Sequence, residues 1–281
     1  MKTYPTATAF RRALEDRLNH RSKTEGTDLQ RMRRQVAFDR LLVRLFSGEH
    51  PPWNLKGGYA LELKLAIART TRDLDLGLVS GFPHEGTLLE ELQSAAARDA
   101  GDFFVFLVGE PIMELEGAPY GGARYPVEAK LDGRRFAAFH LDIGTGDIQR
   151  EPFEWTQGGD WLGFAGIPAG RFPTIRREEH FAQKLHAYTV PRGERENSRV
   201  KDLIDLVLLI DAGGMDEIRL KRDIRDTFHR RKSHPVPDEL EPPPDFWAPV
   251  FLKLAEECAI SGNIGEQFGK VARFHRRLHG G

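Results

Sequence analysis

Helical patterns dominate the beginning of the chain. Apolar side chains recur at three- and four-residue spacing through residues 6–20 and 27–47, which predicts two helices. Residues 59–67 form a mostly apolar segment that predicts a short buried helix, and residues 88–99 predict another. Strand-like segments separate these helices, so we expect a mixed α/β structure in this part of the chain.

Alternating or continuous apolar patterns predict strands in four segments: residues 69–79, 103–108, 127–131 and 134–143. In the first of these, leucines alternate with Asp73, Asp75 and Gly77. The last two flank Asp132-Gly133, a dipeptide that favours two-residue hairpin turns. We therefore expect a small mixed sheet with helices on both sides.

The pattern becomes wholly helical after a Gly- and Pro-rich passage at residues 158–173. Four helices are predicted there: residues 174–189, 198–211, 215–231 and 246–259. The sequence thus predicts an α/β (α+β) fold in two parts. An N-terminal domain, residues 1–173, holds the mixed sheet flanked by helices, and a helical C-terminal domain follows at residues 174–281.

Composition and charge exclude some classes of protein but do not identify a binding partner. The 281 residues carry 41 Lys and Arg against 42 Asp and Glu, so any surface for a polyanion must be a local patch. Cys258 is the single cysteine, which excludes an intrachain disulfide and favours a reducing compartment. No segment has the apolar core of a signal peptide or the length of a membrane span. We expect a cytoplasmic protein with no membrane partner.

Two carboxylates on the first predicted strand carry the strongest chemical information. Side chains at positions i and i+2 of a strand share a face, so Asp73 and Asp75 are expected side by side. Neighbouring anions repel unless a cation lies between them, and Mg²⁺ is commonly held by one or two carboxylates together with substrate phosphates. A helix-length spacer separates them from Lys56-Gly57-Gly58, whose glycines leave backbone N–H groups open to phosphate oxygens. The alternative is a solvated strand edge and an ordinary Gly-Gly turn.

A third carboxylate, Asp142, is a weaker candidate metal ligand. It lies near the end of a predicted strand whose Leu141 and Ile143 face the other way. Two-metal phosphoryl transfer is served by carboxylates on neighbouring strands that hold both ions. The alternative is an exposed strand residue before a Gly-Thr-Gly turn.

The C-terminal part supplies a lysine and two aspartates in apolar surroundings. Lys184 has apolar neighbours on a predicted helix, and Asp202 and Asp205 are i,i+3 neighbours on a later helix rich in Leu and Ile. Buried charges are seldom left unpaired, so these acids need a partner. Either a Lys–Asp salt bridge ties two helices together, or Lys184 contacts a triphosphate while Asp202 positions that lysine or the acceptor group.

Four segments together carry a family pattern: Leu55-Lys56-Gly57-Gly58, Arg69-Thr70-Thr71-Arg72-Asp73-Leu74-Asp75, Ala182-Gln183-Lys184-Leu185-His186-Ala187 and Val200-Lys201-Asp202-Leu203-Ile204-Asp205-Leu206. They resemble, in order, the motifs of the AbiEii/AbiGii toxin family of the DNA polymerase β-like nucleotidyltransferase superfamily. The resemblance spans residues 10–260 and is strongest with the mycobacterial, tRNA-modifying toxins of type IV toxin–antitoxin systems.

The resemblance implies an enzyme and a cellular role. It implies a nucleotidyltransferase core and the activity of a type IV toxin–antitoxin or abortive-infection toxin. An NTP would be the substrate and Mg²⁺ or Mn²⁺ the cofactor. A nucleotide would be added to the 3′ end of tRNA, which blocks aminoacylation and hence translation. A cognate antitoxin would be encoded nearby, with or without direct contact.

The resemblance also implies roles for individual residues. By position, Asp73, Lys184 and Asp202 correspond to catalytic residues of the family. Asp73 and Asp75 correspond to the metal carboxylates, with Asp142 as a less certain third one. The implied contacts to nucleotide phosphates are Lys56, Gly57, Gly58 and Thr71. Thr71 stands where close relatives have serine, a change that keeps the hydroxyl.

Recognition of an RNA acceptor is expected in the densest basic segment, residues 219–232. Its candidate RNA contacts are Lys221, Arg222, Arg225, Arg230 and Arg231. A run of charges is also typical of a solvated helix face. Two further alternatives stay open at this point: a transferase that modifies a protein or a small molecule, and a catalytically inactive binding module.

Overall fold

The computed structural model describes residues 4–48, 51–65, 67–78, 85–115, 118–148, 150–191 and 199–279. Contacts divide the chain into two compact units. The first unit consists of Met1–Leu55, Thr71–Gly146 and Glu154–Thr174, and the second of Lys56–Thr70, Asp147–Phe153 and Ile175–Gly281. The sequence analysis placed a single boundary after residue 173. The observed division differs because two short segments, Lys56–Thr70 and Asp147–Phe153, belong to the same unit as the C-terminal helices.

The described residues contain nine α-helices: α1 (Ala7–Glu25), α2 (Leu29–Leu45), α3 (Gly57–Lys64), α4 (Glu85–Ala96), α5 (Arg177–Thr189), α6 (Val200–Ala212), α7 (Glu217–Arg231), α8 (Ala248–Glu257) and α9 (Ile264–His279). Polar side chains cap the first two, because Thr6 accepts a hydrogen bond from the backbone N–H of Ala9 and Asp28 from that of Arg31. Gly26 follows the last residue of α1, and its φ of 66° is the left-handed conformation that glycine adopts readily.

Eight strands lie within the same described part of the chain: β1 (Trp53–Lys56), β2 (Asp73–Leu78), β3 (Phe104–Val108), β4 (Met113–Glu114), β5 (Gly122–Leu131), β6 (Arg134–Gly144), β7 (Glu154–Gln157) and β8 (Arg171–Thr174). They form one sheet in the order β3-β5-β6-β2-β1-β8-β7, and β4 pairs with β5. Strand β2 runs parallel to β6, and β1 parallel to β8. The β3–β5, β5–β6 and β7–β8 pairs are antiparallel, so the sheet is mixed, as predicted.

The predicted hairpin turn at Asp132-Gly133 is present. Both residues have positive φ, 54° and 69°, as the two central positions of a type I′ turn require. The register of the β5–β6 pair then shifts between Ala129 and Lys130, which marks a β-bulge. The bulge moves the rest of β5 by one residue relative to β6.

The core of the first unit lies between α2 and the sheet. Phe38 of α2 meets Phe139 of β6 edge to face, with ring centroids 4.8 Å apart. Strand β2 presents Leu74 and Leu76 to this core, both fully buried. Because strand side chains alternate, the acidic residues of β2 lie on the opposite face.

The second unit is a helical bundle built around α6. Leu203, Ile204 and Val207 of α6 are fully buried and pack with residues of α5, α8 and α9. Helix α3 joins the same core through Leu61, and Leu65, the residue after the helix, packs there too. This packing explains why a segment from the N-terminal half of the chain belongs to the C-terminal unit.

The predicted fold class is confirmed, and every predicted helix and strand occurs with ends shifted by a few residues. Val79 and Ser198, at the ends of two predicted elements, lie outside the described residues. Five of the observed helices and strands were not predicted: β1, β4, β7, β8 and α9. The four strands have two to four residues, too few for a period to show, and β8 contains Pro173, which favoured a loop.

Candidate active site

Strands β2 and β6 bring the three predicted metal ligands to one sheet face of the first unit. In their parallel pairing, Asp75 lies opposite Asp142 and Asp73 opposite His140. Asp73 and Asp75 are partly buried, whereas the alternating leucines of β2 are buried. Residues opposite each other on adjacent strands share a face, so the pairing forms an acidic face of Asp73, Asp75 and Asp142.

Arg124 of β5 lies opposite Asp142 and neutralises part of this acidic face. Its Nε and Nη2 atoms donate to the two oxygens of Asp142 over 2.7 and 2.6 Å, which makes a bidentate pair. Nη2 also donates to Asp73 over 3.4 Å. The hydrogen bonds to Asp142 and the negative charges of Asp73 and Asp75 raise the pKa of Arg124. A guanidinium group is therefore the cation that the acidic face binds in this structure.

The sequence analysis missed Arg124 because the bulge changes the register of the hairpin. Counting back from the Asp132-Gly133 turn would place Ala123 opposite Asp142. The shift between Ala129 and Lys130 puts Arg124 there instead. The Asp132-Gly133 turn predicts that β5 pairs with β6, but it does not predict where a bulge shifts the register.

Two further side chains contact Asp73. Nδ1 of His140 lies 3.3 Å from Asp73 Oδ1, and the hydroxyl of Thr71 donates to the backbone oxygen of Asp73 over 3.3 Å. The sequence analysis did not single out His140, and the structure places it beside a predicted catalytic carboxylate. The predicted contact of Thr71 with a nucleotide phosphate stays a prediction.

The acidic face suits a divalent ion that is held partly by substrate. In the described part of the chain, no three Asp, Glu, His or Cys side chains converge as a metal-binding group. Asp73 and Asp75 still supply two oxygen ligands on one face, a set that can hold Mg²⁺ or Mn²⁺ together with substrate phosphates. Both oxygens of Asp142 bind Arg124, so its role as a metal ligand stays a prediction.

In the second unit, Lys184 of α5 joins both aspartates of α6. Its Nζ lies 3.1 Å from Asp202 Oδ1 and 2.9 Å from Asp205 Oδ2. Asp205 also accepts two hydrogen bonds from Arg69, over 2.8 and 2.9 Å. The Lys–Asp salt bridge that we considered between two helices is therefore present. The catalytic roles of Lys184 and Asp202 stay predictions.

Mutual attraction keeps this buried network ionised. Burial by itself would raise the pKa of Asp205, but the charges of Arg69 and Lys184 lower it to about 2. Burial would likewise lower the pKa of Lys184, yet Asp205 and Asp202 raise it. Sequence reasoning assigned no role to Arg69, whose partner lies far along the chain. For Asp205, the position of a carboxylate inside an apolar helix indicated that it needs a charged partner.

The Lys56-Gly57-Gly58 segment belongs to the second unit, where it leads into α3. Gly57 has a φ of 66°, a conformation that few other residues adopt without strain. Its carbonyl oxygen lies 3.0 Å from Nε2 of His180, which is fully buried on α5. Burial, with the positive charges of Lys64 and Lys184, holds the pKa of His180 well below its usual range. The neutral ring therefore donates from Nε2 and holds the glycine turn.

Lys56 is itself ion-paired within the second unit. Its Nζ lies 2.9 Å from Asp147 Oδ2, and Asp147 accepts two further hydrogen bonds from Arg231, over 3.2 and 2.8 Å. Burial would raise the pKa of Asp147, but Lys56 and Arg231 lower it. A phosphate that binds Lys56 must therefore compete with the carboxylate of Asp147.

The predicted RNA contacts on α7 differ in exposure. The side chain of Arg225 is 74% exposed, and those of Lys221 and Arg222 are 39% and 38% exposed. Arg231 is only 13% exposed and is bound to Asp147. A contact with RNA phosphates is thus easier for the first three than for Arg231.

Paired carboxylates on neighbouring strands of a mixed sheet are an arrangement that can serve phosphoryl transfer, the reaction class of nucleotidyltransferases. The family model described as nucleotidyl transferase AbiEii toxin, type IV TA system, matches residues 40–257. The chain belongs to this family of nucleotidyltransferase toxins. Membership implies an NTP substrate and a cognate antitoxin.

A solved structure shows the same fold. MenT4, a nucleotidyltransferase toxin from Mycobacterium tuberculosis H37Rv, is similar over 98% of this chain and 89% of its own length, with 14% identity and a TM-score of 0.55. JHP933 from Helicobacter pylori is similar over 87% of this chain and 91% of its own, with 16% identity and a TM-score of 0.45. At 14% sequence identity, the similarity to MenT4 shows the fold alone. No curated protein matches the chain, and none of the described helices is long and apolar enough to cross a membrane.

Proposed function

We propose that this toxin is a metal-dependent enzyme that transfers a nucleoside monophosphate from an NTP to the 3′ end of tRNA. The observation that carries the proposal is the acidic face, where Asp75 of β2 lies opposite Asp142 of β6. The phosphates of an NTP would complete the coordination of a divalent ion at Asp73 and Asp75. The choice of tRNA is supported by the family, since a modified acceptor end would block translation.

The proposed transfer forms one bond and breaks another. The terminal hydroxyl oxygen of the acceptor bonds to the α-phosphorus of the NTP. The bond from that phosphorus to the oxygen of the β-phosphate breaks, and pyrophosphate leaves with the electron pair. When bound, the metal ion supplies positive charge that polarises the α-phosphorus. The proton of the acceptor hydroxyl goes to a base, for which Asp142 is the candidate in this chain.

Arg124 has a defined part in this proposal. A guanidinium binds phosphate with the same bidentate geometry that it uses for a carboxylate. We therefore expect Arg124 to leave Asp142 when NTP binds and to contact a phosphate oxygen. The same movement frees the Asp142 carboxylate to accept a proton.

Two roles are compatible with the contacts of Lys184. It holds α5 to α6 through Asp202 and Asp205, and it is also the candidate that stabilises charge on the leaving pyrophosphate. We keep the prediction that Asp202 positions this lysine. The contacts of Lys56, Gly57, Gly58 and Thr71 with nucleotide phosphates likewise remain part of the proposal.

The test is incubation of the purified protein with Mg²⁺, total tRNA and each labelled NTP in turn. We expect label on tRNA with one or two of the NTPs. Asp73→Ala should slow transfer by at least about 100-fold, because a metal carboxylate contributes several kcal/mol to the transition state. Asp211→Ala is the matched control, since Asp211 is an exposed carboxylate that pairs with Lys270.

Each other outcome has a distinct meaning. Wild-type activity in Asp73→Ala would refute the metal assignment. No label on tRNA, together with NTP binding that depends on Asp73, would exclude tRNA and move the acceptor to a protein or a small molecule.

Lys184→Met separates the two roles of the lysine, because methionine keeps the apolar stem and removes the charge. A chemical role predicts a loss of rate of at least about 100-fold at a temperature where the variant is folded. A purely structural role predicts a lower Tm with turnover retained per folded molecule. Thermal unfolding and transfer assays on the same preparation distinguish them.

A further inference from the structure

A cavity of about 280 Å³ lies in the first unit, and none of the predicted site residues lines it. Its walls are α2, the residues that follow α4 and the segment that precedes β8. Three arginines line it, Arg40, Arg44 and Arg98, together with one acidic residue, Asp99, while the rest of its lining is largely apolar. An apolar cavity with a few convergent polar groups is the usual form of a small-molecule site.

Two buried arginines share one carboxylate beside this cavity. Asp102 is fully buried and accepts from Nε of Arg40 over 2.5 Å and from both Nη atoms of Arg44 over 2.9 and 2.6 Å. Burial would raise the pKa of Asp102, but Arg44 and Arg40 lower it, so the carboxylate is ionised. Arg40 and Arg44 each carry a positive charge and Asp102 carries one negative charge, so the three buried side chains together have an excess positive charge.

Arg40 holds the donors that are still available. Only 4% of the residue is exposed, and within the described part of the chain its one side-chain partner is Asp102, bound at Nε. Arg44 differs, because its terminal nitrogens also donate to the backbone oxygens of Arg40 and Phe104. Arg40 lines the cavity, and its terminal fork suits a bidentate pair with a carboxylate or phosphate.

The other residues that line the cavity limit the size and shape of a ligand. Arg98 at the rim donates to the Ser47 hydroxyl and to the backbone of Arg44, both over 3.3 Å. Val43, Ile167 and Pro168 supply apolar surface. The volume lies just below the range of about 300–1,000 Å³ for small-molecule sites, so the ligand should be smaller than a nucleotide.

We propose that this cavity binds a small organic anion. Its carboxylate or phosphate group pairs with Arg40, and its short apolar body lies against the apolar wall of the cavity. An excess buried charge is unfavourable, and the ligand's negative charge offsets it. This site is independent of the proposed nucleotidyl transfer, because it shares no residue with the acidic face.

Calorimetric titration of the full chain with butyrate and with butyl phosphate, at constant ionic strength, tests the proposal. We expect saturable binding with a Kd of about 1 mM or tighter for at least one anion. Butyramide, which has the shape of butyrate without its charge, should not bind. Binding of butyrate alone would assign a carboxylate ligand, and binding of butyl phosphate alone would assign a phosphate ester.

Variants locate the binding in the cavity. Arg40→Met should weaken binding by at least about tenfold, because it removes the charge-assisted hydrogen bonds. Arg135→Met is the matched control, since Arg135 is 68% exposed and pairs with Glu128 outside the cavity. Ala169→Leu should also weaken binding, because it fills the cavity and leaves the Arg40–Asp102 pair in place.

The Ala169→Leu variant decides the question if Arg40→Met does not fold. The proposal is overturned if neither anion binds the wild-type protein. It is equally overturned if the Arg40→Met and Arg135→Met variants bind alike, or if Ala169→Leu binds like the wild type.

Discussion

Two groups of carboxylates in this protein contrast in exposure and in partners. On the acidic face of β2 and β6, the side chain of Asp73 is 35% exposed and that of Arg124 is 25% exposed. Between α5 and α6, Asp205 is 1% exposed and is bound by both Lys184 and Arg69. Water and ligands can replace a partner in the first group, but in the second group a lost partner leaves an uncompensated buried charge. Burial therefore separates a carboxylate group that can exchange its cation from one that holds helices together.

The largest expected effect comes from breaking the buried group. Asp205→Asn removes the carboxylate that Arg69 and Lys184 share, so we expect the free energy of unfolding to fall by about 3–5 kcal/mol. Urea unfolding followed by circular dichroism measures this change. Asp211→Asn, in the same helix but exposed, should change stability by less than about 0.5 kcal/mol. Equal effects of the two substitutions would contradict the contrast in burial.

A buried carboxylate that is bound by backbone N–H groups should respond to pH. Glu179 is 4% exposed, and its oxygens accept the backbone N–H groups of Arg150 and Arg176. Burial raises its pKa to about 7. Its pKa in an unfolded chain is about 4.3. Because the folded state binds this proton more tightly, the stabilisation is complete below about pH 4 and is lost as the pH rises through about 7.

The wild-type protein should therefore lose about 1–3 kcal/mol more stability than Glu179→Gln between about pH 5 and pH 8. Urea unfolding of both proteins at the two pH values measures the difference. Parallel losses in the two proteins would show that Glu179 does not titrate in this range.

The smallest expected effect is a change in metal affinity when Arg124, the guanidinium bound at the acidic face, is replaced. Arg124→Met removes the guanidinium that competes with a metal ion for Asp73 and Asp142, so we expect Mn²⁺ to bind about tenfold more tightly. Calorimetric titration with Mn²⁺ in the absence of nucleotide measures this affinity. Arg135→Met, also on the β5–β6 hairpin, serves as the control. Unchanged or weaker Mn²⁺ binding would show that Arg124 does not occupy the metal position.

Local pattern was sufficient for much of the fold and for part of the candidate site. The leucine–aspartate alternation of β2 predicted both the strand and the shared face of Asp73 and Asp75. The Asp132-Gly133 dipeptide predicted the hairpin, because few residues tolerate two successive positive φ angles. A charge inside an apolar helix predicted that Asp205 needs a partner. Each of these predictions depends on neighbours within a few residues.

Local sequence pattern therefore predicts most of the helices, the longer strands, the two carboxylates of β2 and the family motifs. Which distant groups meet depends on the tertiary structure. Arg69 and Asp205 are 136 positions apart, and Lys56 and Asp147 are 91 apart. The register of β2 against β6, and the bulge that puts Arg124 beside Asp142, also depend on pairing between strands. Such contacts leave no period in the sequence, because they are selected by packing and hydrogen bonding of the whole fold.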